Sequence, residues 1–226
     1  MSVYNSFMAR PHTFAPSEYY HLYSRGVEKR VIFLDKHDYE RFIKILFFCN
    51  GSKSVVIRDL PRSLTFGKYT DKRGEILVDI GAYCLMPNHF HLLVRERGEK
   101  GISLFMQKLI TAYTMYFNDK YDRTGRLFES SYKSTHAADD GYLKYLFAYI
   151  HLNPVKLIDP EWKENGIKNI EKTKQYLDKY AFSSFADYAG RDRDSGLILA
   201  KQEFPEYFPT PDIFTTLIFE WITTEV

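Results

Sequence analysis

The chain has 226 residues and a formal net charge of +2, and it is 45% hydrophobic, 27% charged and 17% aromatic. This balance is that of a globular protein, and it excludes a disordered, collagen-like or coiled-coil chain. No apolar run approaches the roughly 20 residues that a membrane-spanning helix needs, so no membrane partner is expected.

The near-neutral total hides an uneven distribution of charge. Residues 1–158 carry a net charge of +7, and residues 159–226 carry a net charge of −5. A basic region suits a polyanionic partner, and the tyrosines interleaved with basic residues in 116–133 suit a single strand of nucleic acid. A solvated surface with a chance fluctuation explains the same charges, and charge alone favours that second interpretation. The division predicts a core domain over 1–158 and an acidic C-terminal extension over 159–226 that packs on it.

The start of the chain and its two cysteines bear on the cellular compartment. Met1–Phe14 lacks the apolar stretch of a secretory signal. Cys49 and Cys84 lie in apolar surroundings and form no disulfide framework. The chain is therefore expected to be reduced and cytoplasmic.

Periodicity and breaker residues predict alternating strands and helices, with Asp35 and Ser103 as helix caps. In chain order we predict a strand over Tyr19–Arg25, a helix over Asp35–Cys49, a long loop or small hairpin over 50–75, strands over Glu75–Leu85 and His89–Glu96, a helix over Ser103–Tyr121, a strand over Gly125–His136, and helices over Asp139–Asn153 and Ile167–Tyr180. Up to residue 158, this order predicts an α+β fold with a ferredoxin-like antiparallel sheet and helices on one face.

The first candidate site is His89-Phe90-His91. On a strand, residues two apart point to the same side, so the two imidazoles project from one face while Phe90 enters the core. Two converging imidazoles can hold one divalent metal ion and leave coordination positions open. Two surface histidines on a half-buried strand fit the same spacing, and the spacing alone favours this simpler interpretation.

The second candidate site is Tyr149 with Asn153, which share a helix face because they are four residues apart. The asparagine offers a carbonyl oxygen as a third metal ligand, and a phenol beside a cation can act as a nucleophile. Tyr142 and Tyr145 lie on the same stripe, however, and an aromatic stripe is usually part of a core. Spacing alone therefore does not distinguish Tyr149 from its neighbours.

Taken together with their flanks, these two patterns resemble the single-tyrosine transposases of the HUH endonuclease superfamily, and in particular the REP-associated tyrosine transposases. The resemblance covers most of residues 19–190. Its segments are YHLYSRGVEKRVIF (Tyr20–Phe33), YCLMPNHFHLLV (Tyr83–Val94), YFNDKYDRTGRLFESSYKS (Tyr116–Ser134), YLKYLFAYIHLNPVK (Tyr142–Lys156) and FSSFADYAG (Phe182–Gly190).

The resemblance implies roles for particular residues. His89 and His91 would be metal ligands, Asn153 would complete the metal site, and the metal would be Mg²⁺ or Mn²⁺. Tyr149, which the YIHLNPV match singles out, would be the nucleophile. The implied activity is cleavage and rejoining of single-stranded DNA near hairpins through a 5′-phosphotyrosine intermediate.

The resemblance also implies a cytoplasmic, nucleoid-associated protein that acts as a monomer or a homodimer, since relatives place the tyrosine helix in their own site or in a partner's. Four basic residues are candidate DNA-backbone contacts: Arg25, Arg123, Arg126 and Lys133. For Arg25, a structural role at the end of its strand is an equal alternative, and solvated charge is the commoner state for the other three.

Three further histidines, His21, His136 and His151, are interpreted as surface groups or as neighbours of the ligands rather than as ligands. The segment 50–75 is longer than such relatives are expected to have at this position, so it either recognises DNA or is a tolerated insertion. Two other functions compete with the transposase: a catalytically silent, domesticated DNA-hairpin-binding protein, and a metal-dependent hydrolase of a small molecule.

Overall fold

The structure is a computed structural model that describes residues 13–61 and 65–224, the side chains of Arg58 and of 221–224 excepted. Residues 1–12, which make up most of the segment that lacks the features of a secretory signal, lie outside the described residues. In chain order the strands and α-helices are β1 (Tyr19–Arg25), α1 (Lys36–Cys49), α2 (Thr70–Arg73), β2 (Val78–Met86), β3 (His89–Glu96), α3 (Gly101–Lys120), β4 (Lys133–His136), α4 (Asp140–Leu152), α5 (Trp162–Asn165), α6 (Ile170–Lys179), α7 (Phe185–Tyr188) and α8 (Pro211–Thr224).

The four strands form one antiparallel sheet in the order β2-β3-β1-β4, which confirms the predicted α+β class. In the register of the two central strands, Tyr23 lies opposite His91 and Arg25 opposite His89. Because side chains alternate along each strand, the face that carries the paired histidines also carries the odd-numbered residues of β1.

Helices cover both faces of the sheet, whereas the prediction placed them on one. On the first face, α1 and α3 pack on the core that contains Leu22, Phe90 and Leu92. On the second face, α4 packs on β2 and β3 in a separate core with Cys84 and Leu93. The physical reason is that every residue of β2 is buried, and a strand that is apolar on both sides needs cover on both sides.

Two of the predicted helix starts are confirmed, and one is wrong. Asp35 caps α1 in a reciprocal capping box with Asp38, and the side chain of Asp139 caps α4. Ser103 does not cap α3, which begins two residues earlier at Gly101. The carboxylate of Glu96 accepts a hydrogen bond from the backbone N–H of Ile102 at 3.0 Å, so a side chain from β3 replaces a local cap.

The strand predicted over Gly125–His136 is much shorter, because only Lys133–His136 pairs continuously with β1. Gly125 has a φ of +79°, a conformation that a strand cannot contain. Leu127 and Phe128 then turn into the core, and Phe128 makes a single bridge to Gly26. The described residues of the segment 50–75 are irregular as predicted, apart from α2 and two short 3₁₀ turns.

The C-terminal segment lies along the outer edge of β2. The N–H of Leu85 donates to the carbonyl of Phe182 at 2.9 Å, and the N–H of Ala200 donates to the carbonyl of Ile80 at 2.9 Å. Side chains from α6, α7 and α8 also enter the core beneath α4. The boundary at residue 158 stays a prediction. No helix in the described part of the chain is long and apolar enough to cross a membrane.

Candidate active site

A cavity of about 270 Å³ opens between the second face of the sheet and the C-terminal end of α4. Six of the eight predicted site residues line it: His89, His91, Tyr149, Asn153, Arg25 and Lys133. Larger clefts exist in the described surface, including one of about 570 Å³ beside α1. The smaller cavity is the candidate active site, because it contains the paired imidazoles and the phenol.

The two histidines project from β3 as the alternation predicts. His89 and His91 line the cavity, whereas Phe90 between them is fully buried in the opposite core. Their ring centroids are 4.9 Å apart and the ring planes are perpendicular. The two imidazoles are therefore close enough for both to contact one small ligand.

The surroundings keep both imidazoles neutral. The pKa of His89 is lowered to about 4, chiefly by burial and then by the nearby charges of Arg25 and Lys156. The pKa of His91 also lies well below its usual value, first because the ring is buried and then because His21 and His89 are close. Each neutral ring keeps one nitrogen lone pair available to a ligand.

His91 has one engaged nitrogen and one without a partner. Its Nδ1 lies 2.8 Å from Nε2 of His21, and these two rings are stacked with centroids 5.0 Å apart. Its Nε2 is buried and has no hydrogen-bond partner among the described residues. A buried polar atom without a partner is unfavourable, so this nitrogen is suited to an additional ligand.

Acid is expected to destabilise the metal-free protein because these rings are buried in neutral form. Burial lowers the pKa of His21 to about 4, as it does for His89. In the unfolded chain each ring takes up a proton as the pH falls below about 6.5, whereas the folded state resists protonation until about pH 4. Stability is therefore fully present above pH 6.5 and should fall by about 2 kcal/mol per such group by pH 5. Denaturant midpoints with a chelator at pH 7.5, 6 and 5 test this, and a constant midpoint would contradict it.

Tyr149 lies one turn before the end of α4, and its ring is close to the rings of His21 and His91. Its centroid is 5.5 Å from that of His91, at an interplanar angle of 87°. The ammonium of Lys163 lies 4.1 Å from the same centroid, over the ring face. Tyr142 and Tyr145 stack along the helix but do not line the cavity, so the structure separates three tyrosines that spacing could not.

Asn153 follows α4 directly, and its side chain is oriented by the backbone. Its Nδ2 donates to the carbonyl of Tyr149 at 3.0 Å, which leaves Oδ1 as an acceptor or ligand. Within residues 13–61 and 65–224, no three His, Cys, Asp or Glu side chains are grouped so that they could hold a metal ion. A cation at His89 and His91 would therefore take the asparagine oxygen as its third protein ligand. The unpartnered Nε2 of His91 fits such an ion, and the Asn153 side chain is close enough to interact with His89.

The predicted basic residues divide into two groups. Arg25 and Lys133 line the cavity. Arg123 instead bonds Asn118 at 2.8 Å and lies over the ring of Phe117, and Arg126 is exposed outside the cavity. Neither arginine lines the cavity, and their contacts with DNA stay a prediction.

Sequence reasoning missed Lys156, Lys163 and Glu129, which also line the cavity. Lys156 could have been found, because it comes three residues after Asn153 in the same turn. Lys163 gave no signal, because its α5 helix has only four residues and its approach to Tyr149 depends on the tertiary fold.

The other histidines have different positions. His21 contacts His91 and is thus a neighbour of a candidate ligand, as interpreted from the sequence. His136 bonds the carboxylate of Glu18 at 2.7 Å. The interpretation of His151 as a surface group or a neighbour of the ligands is wrong. Its ring is fully buried and bonds the carbonyl of Phe147 and the hydroxyl of Ser184.

Comparisons with known proteins find similarity to transposases, over part of the sequence and in the fold. Residues 65–153 match the family model described as "Transposase IS200 like", and this range contains both histidines, Tyr149 and Asn153. A solved structure described as "Structure of the REP associates tyrosine transposase bound to a REP hairpin" has a TM-score of 0.51 and 14% sequence identity, covering 84% of this chain and 87% of the other. No curated protein matches the chain.

These findings confirm the resemblance seen in the sequence. Residues 65–153 are similar in sequence to IS200-like transposases, and the fold is similar to that of a REP-associated tyrosine transposase.

Proposed function

We propose that the protein is a metal-dependent transposase-like endonuclease that cleaves and rejoins single-stranded DNA near hairpins through a 5′-phosphotyrosine intermediate. One observation supports this function above others. The phenol ring of Tyr149 lies edge-on to His91 at 5.5 Å in a cavity that also holds His89, Asn153 and several cations. A nucleophile, candidate metal ligands and phosphate-binding groups are thus present in one place.

The metal would be Mg²⁺ or Mn²⁺, held by Nε2 of His91, an imidazole nitrogen of His89 and Oδ1 of Asn153. When bound there, it would supply Lewis-acid stabilisation of charge on a phosphoryl oxygen. The three groups suit a divalent ion because both imidazoles are kept neutral and the amide nitrogen of Asn153 is already used.

Tyr149 would be the nucleophile of the covalent step. Its hydroxyl oxygen forms a bond to the scissile phosphorus, and the bond from phosphorus to the 3′ oxygen of the preceding nucleotide breaks. The phenol loses its proton, and the departing 3′ oxygen gains one to become a free hydroxyl. A phenolate is a better leaving group than a sugar alkoxide, so a DNA 3′-hydroxyl can reverse the step and join a new strand without a nucleotide cofactor.

The cations around the cavity would bind the DNA backbone on either side of the attacked phosphate. Arg25 and Lys133 lie on the sheet side, and Lys156 and Lys163 lie on the helix side. Single-stranded DNA, or a hairpin like the one bound by the solved relative, would be recognised partly through these charges, with a strong salt dependence. Such a protein would be nucleoid-associated and act as a monomer or a homodimer.

Single-stranded oligonucleotides with and without a hairpin test the proposal, incubated with the protein in the presence of Mn²⁺, Mg²⁺ or a chelator. We expect a protein–DNA adduct that survives denaturing electrophoresis, needs the divalent ion and forms better next to a hairpin. Salt-dependent hairpin binding without any adduct would instead identify a catalytically silent DNA-binding protein. Hydrolysis of a small phosphate ester that survives the loss of Tyr149 would identify a metal-dependent hydrolase.

Lys163 is expected to assist Tyr149. Replacing Lys163 with methionine keeps the aliphatic stem but removes the ammonium from the tyrosine ring, where such a cation contributes about 0.5–2 kcal/mol. We expect adduct formation to slow by about 10-fold, which corresponds to 1.4 kcal/mol. Lys163→Arg should retain most of the rate, and Lys172→Met on the exposed surface of α6 is the matched control. Equal rates for Lys163→Met and Lys172→Met would show that Lys163 has no part in the reaction.

A further inference from the structure

The two candidate metal ligands each have a second ring nitrogen that is held by a different neighbour. Nδ1 of His89 lies 2.6 Å from Oδ1 of Asn88, and Nδ1 of His91 lies 2.8 Å from Nε2 of His21. We propose that Asn88 and His21 are positioning residues that hold His89 and His91 in the Nδ1–H form, so that Nε2 of each ring carries the lone pair for a divalent cation. This inference rests on the metal site of the proposed function.

For His89 the proton position follows from the backbone. Nδ2 of Asn88 donates to the carbonyl of Lys29 at 3.1 Å, and a carbonyl oxygen can only accept. The amide nitrogen therefore faces Lys29, and the amide oxygen faces His89. Because that oxygen also only accepts, Nδ1 of His89 must carry the hydrogen, and its Nε2 must carry the lone pair.

The carbonyl that orients Asn88 is itself held in a fixed loop. Glu28 and Lys29 adopt left-handed conformations with φ of 57° and 60°, which non-glycine residues rarely do. The loop is joined to the turn between β2 and β3 by a second bond, in which the N–H of Gly26 donates to the carbonyl of Asn88 at 2.9 Å. The strained loop thus fixes the position of the Lys29 carbonyl relative to the histidine pair.

For His91, burial restricts the position of the proton. Both rings of the His21–His91 pair are at least nine-tenths buried, so one nitrogen of the short contact must donate and the other must accept. If Nδ1 of His91 accepted, its Nε2 would be a buried N–H with no acceptor among the described residues. If Nδ1 donates to His21, Nε2 is a lone pair that a cation can use. The second arrangement is the one consistent with a ligand role.

His21 and His91 meet because of the sheet register. His21 lies opposite Leu93, and Tyr23 lies opposite His91, so the two histidines are diagonal neighbours on one face. Tyr23 stacks on His21 with centroids 5.0 Å apart, which holds the His21 ring in place. Neighbours that accept from the outer nitrogen of a ligand histidine typically change metal affinity by about 10- to 100-fold when removed.

The test uses the full chain without DNA and has two readouts. Long-range ¹H–¹⁵N spectra of the metal-free protein report which nitrogen of each histidine is protonated, and Mn²⁺ titration reports affinity. In the wild type we expect His89 and His91 in the Nδ1–H form. Asn88→Ala should release His89, and His21→Phe should release His91, into mixtures of both forms, with Mn²⁺ binding weakened about 10- to 100-fold in each case.

Conservative variants separate positioning from folding. His21→Gln and Asn88→Asp keep an acceptor at each position, so both variants should retain the Nδ1–H signals. Asn88→Asp loses only the hydrogen bond that Asn88 donates to the carbonyl of Lys29. His136→Gln, a histidine of the same sheet outside the cavity, should change neither readout. Unchanged proton positions and unchanged Mn²⁺ affinity in Asn88→Ala and His21→Phe would overturn the proposal. Loss of the Nδ1–H signals in both His21→Gln and Asn88→Asp would also overturn it. Correct proton positions and Mn²⁺ binding in a protein that forms no DNA adduct would instead refute the proposed function.

Discussion

Replacing Tyr149 with phenylalanine is expected to eliminate the covalent protein–DNA adduct, with a loss of about 10³-fold or more in its rate of formation. The substitution removes only the hydroxyl. The ring keeps its edge contact with His91 and its position beneath Lys163, so the cavity should stay intact. Hairpin affinity, measured by salt-dependent binding in the same buffer, should therefore be retained while the adduct disappears.

The neighbouring tyrosines provide matched controls for this experiment. Tyr142 and Tyr145 stack along the same helix but do not line the cavity, so their phenylalanine variants should form the adduct at the wild-type rate. Persistence of the adduct in Tyr149→Phe, or its loss in Tyr145→Phe alone, would assign the nucleophile to another residue. Tandem mass spectrometry of the tryptic peptides of the wild-type adduct would then locate the modified tyrosine.

The largest expected effect on stability is at Asp38, in the first turn of α1. Its carboxylate is fully buried and accepts hydrogen bonds from the Leu34 backbone at 2.7 Å, the Tyr116 hydroxyl at 2.9 Å, the Tyr121 hydroxyl at 2.8 Å and the Lys120 ammonium at 2.7 Å. Asp38→Ala leaves these four donors without their acceptor. We expect the free energy of unfolding to fall by about 3 kcal/mol or more.

Asp35→Ala is the control for this substitution, because Asp35 belongs to the same capping box and also contacts Lys120. Its side chain is 46% exposed, so water replaces the lost contacts. Its removal should cost about 1 kcal/mol, as for an ordinary helix cap. Urea unfolding at neutral pH measures both variants. A smaller loss for Asp38→Ala than for Asp35→Ala would show that burial of the Asp38 carboxylate does not determine its contribution to stability.

Local periodicity was sufficient to predict the geometry of the central groups. Alternation along β3 placed both histidines on one face, and the four-residue spacing on α4 placed Asn153 beside Tyr149. The choice of Tyr149 over Tyr142 and Tyr145 required the resemblance or the structure, because all three tyrosines satisfy the same helical spacing.

Features that depend on tertiary contacts could not be predicted. The start of α3 is set by Glu96, the last residue of the preceding strand, rather than by Ser103. The contact between His21 and His91 requires the register of β1 against β3, which neither strand specifies alone. The position of α4 on the second face depends on the burial of both sides of β2, and Lys163 approaches Tyr149 only after the C-terminal helices have packed.

The C-terminal segment along β2 has a consequence for association between copies. An unpaired strand edge can template pairing with another chain, and native sheets restrict such edges. One outer strand already exchanges backbone hydrogen bonds with residues 182–184 and 200, and the other outer strand has only four residues. Any association between two copies would therefore use helices or loops, because among the described residues neither side of the sheet offers a long free strand for a continuous intermolecular sheet.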